Sequence, residues 1–208
     1  MTVIQTICVF CGSGMGYNDR YRLAADIMGE TLAKRGLNLV YGGSNIGTMR
    51  VLADAALRNG GKVIGIMPHL LASKEILHTG VTEVITVESM QERKELMGNL
   101  SDAFITLPGG FGTLDELFEA LSWVQLKIME KPVAILNVDG YFDTLLQFLD
   151  HSAQEGFLRP EHRLNILVDT DANKLIDKIL DFTPIQVDSK WVDNLIKDTH
   201  EKHVLPKF

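Results

Sequence analysis

Seven short apolar segments alternate with six helix-like stretches along most of this 208-residue chain, and that order constrains the fold more than any other feature. The strand candidates are Ile4–Phe10, Asn38–Tyr41, Lys62–Ile66, Glu83–Val87, Ala103–Leu107, Pro132–Leu136 and Asn165–Val168. Between and after them lie helix candidates at Asp19–Arg35, Ile46–Asn59, Met90–Leu100, Thr113–Ile128, Tyr141–Glu155 and Ala172–Asp181. Runs such as Ala134-Ile135-Leu136 and Ile105-Thr106-Leu107 lack polar alternation, as strands covered on both faces do. A β-α-β-α order with such strands predicts an α/β fold: a single Rossmann-like domain, its mainly parallel sheet flanked by helices on both faces. The length suits one such domain, predicted over residues 1–183, with residues 184–208 as a polar extension bearing an apolar stripe at Trp191, Leu195 and Ile196.

Several function classes drop out on composition. A net charge of −7 argues against a nucleic-acid binder that grips phosphates through a basic surface. No apolar run approaches the ~20 residues needed to span a membrane, and the N-terminal Met1-Thr2-Val3-Ile4-Gln5-Thr6 lacks the basic start of a secretory signal. A cytoplasmic protein is expected. The two cysteines, Cys8 and Cys11, close the first strand. Residues i and i+3 of a strand point to opposite faces, so they are expected as two small core side chains rather than a disulfide. The six histidines form no ligand cluster, and no metal or cofactor is expected.

Glycines gather where strands are expected to end. Cys11-Gly12-Ser13-Gly14-Met15-Gly16 follows the first strand, Tyr41-Gly42-Gly43-Ser44-Asn45-Ile46-Gly47-Thr48 the second, and Pro108-Gly109-Gly110-Phe111-Gly112-Thr113 the fifth. Tight turns alone need glycine, but three such loops on one sheet edge, each before a helix, suit a shared anion pocket. The first loop is not G-x-G-x-x-G and the second strand ends at Tyr41 rather than an acidic residue, which disfavours hydride transfer; no G-x-x-x-x-G-K-[ST] run exists, which excludes a P-loop ATPase. Glu116 is expected in the first turn of the helix behind the third loop. A carboxylate there serves as an acid, a base or a sugar clamp beside a phosphate, or simply complements the helix dipole. On the helix Met90–Leu100, spacing puts Met90, Arg93, Lys94 and Met97 on one face. Either the two cations snorkel from an ordinary surface helix, or Arg93 turns into the pocket, bidentate to a carboxylate or phosphate.

Together these residues resemble the LOG ("lonely guy") family of cytokinin-activating nucleoside 5′-monophosphate phosphoribohydrolases, long mislabelled lysine decarboxylases. The family pattern P-G-G-x-G-T-x-x-E is met by Pro108, Gly109, Gly110, Gly112, Thr113 and Glu116, and M-x-x-R-K by Met90, Arg93 and Lys94. The match extends through Gly65-Ile66-Met67-Pro68 and Asn137-Val138-Asp139-Gly140-Tyr141 to Glu155-Gly156-Phe157. This chain departs at Ser44 and Arg50, where the family usually has glycine, at Gln91 for His, at Asp115 for Glu and at Ser122 for Thr. The resemblance implies hydrolysis of the N-glycosidic bond of a nucleoside 5′-monophosphate, with Arg93 and Glu116 catalytic, the cation holding Glu116 ionised. It implies a substrate site of Ser13, Gly43, Glu75, Met90, Arg93, Lys94, Gly109, Gly110, Phe111, Gly112, Thr113, Leu114, Asp115, Glu116 and Ser122. A homodimer is also implied, in keeping with apolar residues on more than one side of the helix at Leu121, Trp123, Val124 and Leu126. The competing readings are a non-catalytic nucleotide or cofactor carrier on the same fold, and a decarboxylase, which would need a buried Schiff-base lysine that nothing in the chain marks.

Overall fold

Strands that are apolar on both sides demand helices above and below, and the computed structural model, which describes residues 3–72 and 76–185, has that layering. In chain order the elements are β1 (Thr6–Phe10), α1 (Asp19–Lys34), β2 (Asn38–Tyr41), α2 (Gly47–Arg58), β3 (Val63–Pro68), α3 (His69–Ala72), β4 (Glu83–Val87), α4 (Met90–Asn99), β5 (Ala103–Thr106), α5 (Phe111–Gln125), β6 (Val133–Leu136), α6 (Asp143–Gln154), α7 (Pro160–Leu164), β7 (Ile166–Asp169) and α8 (Ala172–Leu180). A 3-10 turn, Val138–Gly140, joins β6 to α6.

The seven strands form one sheet in the order β4-β3-β2-β1-β5-β6-β7. Every pairing is parallel, with registers such as Cys8↔Val40 and Cys8↔Phe104 on either side of β1. The chain winds outward from β1 to β4, then returns through α4 to the other side of β1 and winds outward again. Because such crossovers are right-handed, the two directions place their helices on opposite faces. One core packs α1, α2 and α8 through Met28, Leu32, Leu52, Leu175 and Ile176. The other packs α4, α5 and α6 through Met97, Leu117, Ala120 and Leu149. Phe104 is fully buried in the second, stacked on Phe10 with ring centroids 5.7 Å apart. Truncating such a ring to alanine costs about 3–5 kcal/mol.

The expected strands and helices are all present, with ends displaced by up to three residues. Helices α3 and α7, four and five residues long, were not expected. Elements that short leave no apolar period, and α7 starts instead on Pro160 at its first turn. Cys8 and Cys11 are free and buried, one in each core, as strand alternation requires. Trp191, Leu195 and Ile196 lie outside the described residues.

Candidate functional site

Adjacent strands β1 and β5 send the chain to opposite faces of the sheet, so a crevice opens beyond their carboxyl ends. All three glycine loops meet there. A Cβ on Gly109 would lie 2.1 Å from Thr113 Oγ1 and 3.0 Å from Gly12 N, so only glycine lets the first and third loops touch. The second loop is tied to the first through α2: Thr48 Oγ1 donates to the Gly12 carbonyl at 3.0 Å, and Thr48 N to that of Gly14 at 3.3 Å.

Helix α5 begins two residues earlier than expected. Gly110 is its N-cap, without a side-chain cap, and Leu114 N closes the first turn on the Gly110 carbonyl at 3.1 Å. The amides of Phe111, Gly112 and Thr113 therefore have no partner inside the helix. Nothing lies within 4 Å of a Cβ built on Gly110 or Gly112, so an anion can approach these amides and the positive end of the helix dipole. The earlier start moves Glu116 from the first turn to the second, where it points into the crevice floor rather than capping amides. The helix stops short of Ile128 because Lys127 takes a left-handed φ of 57°.

Arg93 reaches Glu116 from α4. Its Nη1 lies 3.4 Å from Glu116 Oε1, and the two side chains are only 9% and 10% exposed. The rest of the guanidinium is held by backbone: Nε donates to the Ile66 carbonyl at 3.0 Å and Nη2 to that of Gly42 at 3.0 Å. Gly42 makes room for it, since a Cβ there would sit 1.8 Å from Arg93 Nη2. So Arg93 turns into the crevice, spends two nitrogens on two carbonyls and meets Glu116 with its third. Arg93 favours the ionised form of Glu116, as expected, but burial outweighs it. Burial pushes the Glu116 carboxyl up to about 7; Arg93 pulls it back only in part, and Asp115 adds repulsion. Such a carboxyl exists in both forms near neutrality, where a general base or acid works best.

Lys94 sits beside the pair, 3.0 Å from Asp115 and 2.9 Å from Glu119. Desolvation works against its charge, but these two carboxylates raise its pKa overall. Met90 opens α4 and is exposed, while Arg93 and Met97 on the same helix are buried. Ser122 is also not brought to the site. It lies roughly 9 Å along α5 from Glu116, donates to the Phe118 carbonyl, and lines a separate groove of about 710 Å³ at the amino ends of the strands. Ser13 is exposed on the first loop, Gly43 is buried with φ 73° and its carbonyl bonded to His78 N, and Phe111 is almost wholly exposed beside the α5 N-terminus. Leu114 is half-buried on the next turn. Glu75 lies outside the described residues. Sequence reasoning missed the Gly42 and Ile66 carbonyls, since backbone acceptors carry no residue signal, and it missed the Tyr141 hydroxyl, which donates to the Gly109 carbonyl at 2.6 Å.

A doubly wound parallel sheet whose central crevice joins a helix N-terminus to a buried carboxylate–guanidinium pair defines an α/β protein of the Rossmann-like class. A family model described as "possible lysine decarboxylase" matches residues 49–179. Cytokinin riboside 5′-monophosphate phosphoribohydrolase LOG5 of Arabidopsis thaliana is 44% identical over 191 residues, covering 90% of this chain and 84% of that protein. LOG1 of the same plant is 46% identical over 180 residues, covering 86% and 84%. The chain belongs to this LOG family. Among solved structures, the molybdenum cofactor binding protein from Rippkaea orientalis is similar with a TM-score of 0.65 and 24% identity, over 86% of this chain and 97% of that one; at that identity the likeness is one of fold.

Proposed function

We propose that this chain hydrolyses the N-glycosidic bond of a nucleoside 5′-monophosphate, either a cytokinin riboside 5′-monophosphate or AMP, to free base and ribose 5-phosphate. The observation that carries this reading is the buried Arg93–Glu116 pair, set one helical turn behind the open amides of α5. The names of relatives at 44–46% identity support it. The amides of Gly110, Gly112 and Thr113 receive the 5′-phosphate, placing the sugar over Glu116, with Ser13, Gly43, Gly109, Phe111 and Leu114 forming the walls of the phosphate and sugar site.

As the C1′–N bond breaks, its electron pair leaves with the base and positive charge develops on C1′ and the ring oxygen. Ionised Glu116 stabilises that charge. It also takes a proton from the attacking water, whose oxygen bonds to C1′; the departing base nitrogen takes a proton from solvent, to which Glu116 then returns the one it accepted. Arg93 acts through Glu116: anchored on two carbonyls, it holds the carboxylate in place and keeps its pKa from rising further. Lys94, with Asp115 and Glu119, borders the base side, and Glu75 and Met90 are carried as substrate contacts only by the family pattern. A carrier has no use for a buried carboxylate held by a cation at the sugar position. A decarboxylase would need a lysine primed by burial; among the described lysines, Lys131 has its pKa lowered by burial, and it donates to the Gly98 carbonyl near the opposite ends of the strands.

The same reading takes the protein as a cytoplasmic homodimer. Free Cys8 and Cys11 suit a reducing compartment. Exposed Phe118, Leu126 and Ile128 on and after α5, with Met90 on α4, offer an apolar face to a second copy. The decisive experiment incubates the protein with nucleoside 5′-monophosphates, nucleosides and bases. Free base is expected from the 5′-monophosphates alone; release from nucleosides at equal rate, or none from any nucleotide, refutes the reading.

A further inference from the structure

The turn after β6 is unusually elaborate for a connection far along the chain from the pair it flanks. Asp139 and Gly140 are consecutive left-handed residues, with φ of 52° and 72°. Among non-glycine residues Asp is one of the few that adopt that conformation readily, and here its surroundings hold it as well. The surroundings are explicit. Asn137 accepts from Phe142 N at 2.8 Å and donates to Asp143 Oδ1 at 2.7 Å, locking both sides of the turn. Asp139 pairs with Arg20 at the start of α1.

This turn delivers one residue, Tyr141. Its hydroxyl donates to the Gly109 carbonyl at 2.6 Å, and its ring meets Tyr21 edge-on at 5.4 Å and Phe142 at 4.9 Å. Tyr21 in turn packs under Gly16, where a Cβ would lie 2.6 Å from its ring. One side chain thus touches the third glycine loop directly and the first through Tyr21. In a planar trans peptide the C=O and the following N–H point in opposite directions. Holding the Gly109 carbonyl on the Tyr141 side therefore turns the Gly110 N–H away from Tyr141.

We infer that Tyr141 is a positioning residue for anion binding: its hydroxyl sets the Gly109–Gly110 peptide so that the Gly110 N–H joins the amides that receive the substrate's 5′-phosphate. The inference rests on the reading of α5 as the phosphate site. Tyr141→Phe tests it, since the ring and its aromatic contacts stay and only the hydroxyl is lost. One hydrogen bond to a neutral acceptor corresponds to about a three- to tenfold effect. By titration calorimetry on the full chain, ribose 5-phosphate is expected to bind the variant about three- to tenfold more weakly, with adenine affinity unchanged and the melting temperature lowered by no more than a few degrees. The KM for the nucleotide rises by the same factor while kcat holds, the pattern of lost uniform binding. Equal ribose 5-phosphate affinity in the two proteins, or a matching loss for adenine, overturns the role of Tyr141 and leaves the phosphate site standing. No ribose 5-phosphate binding by the wild type overturns the phosphate site and the inference with it.

Discussion

Replacing Glu116 by glutamine should make the protein more stable at alkaline pH while removing its activity. The carboxyl titrates near 7 in the folded chain against 4.5 as its ordinary value, with burial as the main cause. The folded state therefore holds the proton more tightly than the unfolded state. The stability this adds is complete below about pH 4.5 and is lost as pH rises through 7. A shift from 4.5 to about 7 corresponds to roughly 3 kcal/mol in full. Most of that falls between pH 5 and 8.5. The amide of the variant mimics the protonated carboxyl at every pH. The stability difference, Glu116→Gln minus wild type, should then grow by roughly 2–3 kcal/mol over that range, or roughly 5–10 °C in melting temperature for a chain of this size. Urea denaturation of both proteins at half-unit pH steps measures it, and titrating groups not coupled to Glu116 cancel in the difference. Parallel curves would mean that Glu116 ionises normally in the fold. A difference that shrinks with pH would mean that Arg93, not burial, governs the carboxylate, and the account of the site would be wrong.

Other outcomes follow from the same geometry. The kcat/KM of the wild type should rise with pH through a limb near 7, and Arg93→Met should move that limb upward by a unit or more and cut kcat by about 100-fold or more, read from a pH–rate series. Gly42→Ala should cost about 100-fold in activity and also lower the melting temperature, because the methyl meets Arg93 Nη2 at 1.8 Å and Met49 Sδ at 3.1 Å and pushes the buried guanidinium off its carbonyl and carboxylate partners; retained activity would remove the Gly42 contact from the mechanism. Leu126→Glu should shift the protein from dimer to monomer in analytical ultracentrifugation, and an unchanged sedimentation coefficient would move the proposed interface elsewhere.

The layering of this fold was legible because burial on both faces leaves an unmistakable mark, a short run of apolar residues without alternation. The start of α5 was not. Gly110, Phe111 and Gly112 read as loop by propensity, yet the packing of Thr113 on Gly109 and the fit of Gly109 to Gly12 draw the helix back to Gly110. The Arg93–Glu116 partnership was legible through the two motif segments. The ionisation of Glu116 was not, since it depends on how much protein surrounds the carboxylate. Ser122 shows the opposite failure. A hydroxyl on the right helix looked available, but it faces a different groove and is occupied by the Phe118 carbonyl.

The anchoring of Arg93 also bears on how activity appears as the chain folds. Its carbonyl partners, Gly42 and Ile66, belong to the wing of the sheet built from β2 and β3, whereas Glu116 belongs to the wing that begins at β5. The wings join along β1–β5, a pairing such as Ile7↔Ala103 that closes nearly half the chain into a loop, and where α8 packs against α1. Contacts this distant in sequence form late and slowly. A chain with either wing folded alone holds a guanidinium without its carboxylate, or a carboxylate without its guanidinium. Partly folded forms are therefore expected to be catalytically silent, and recovery of turnover during refolding should lag the recovery of helical signal.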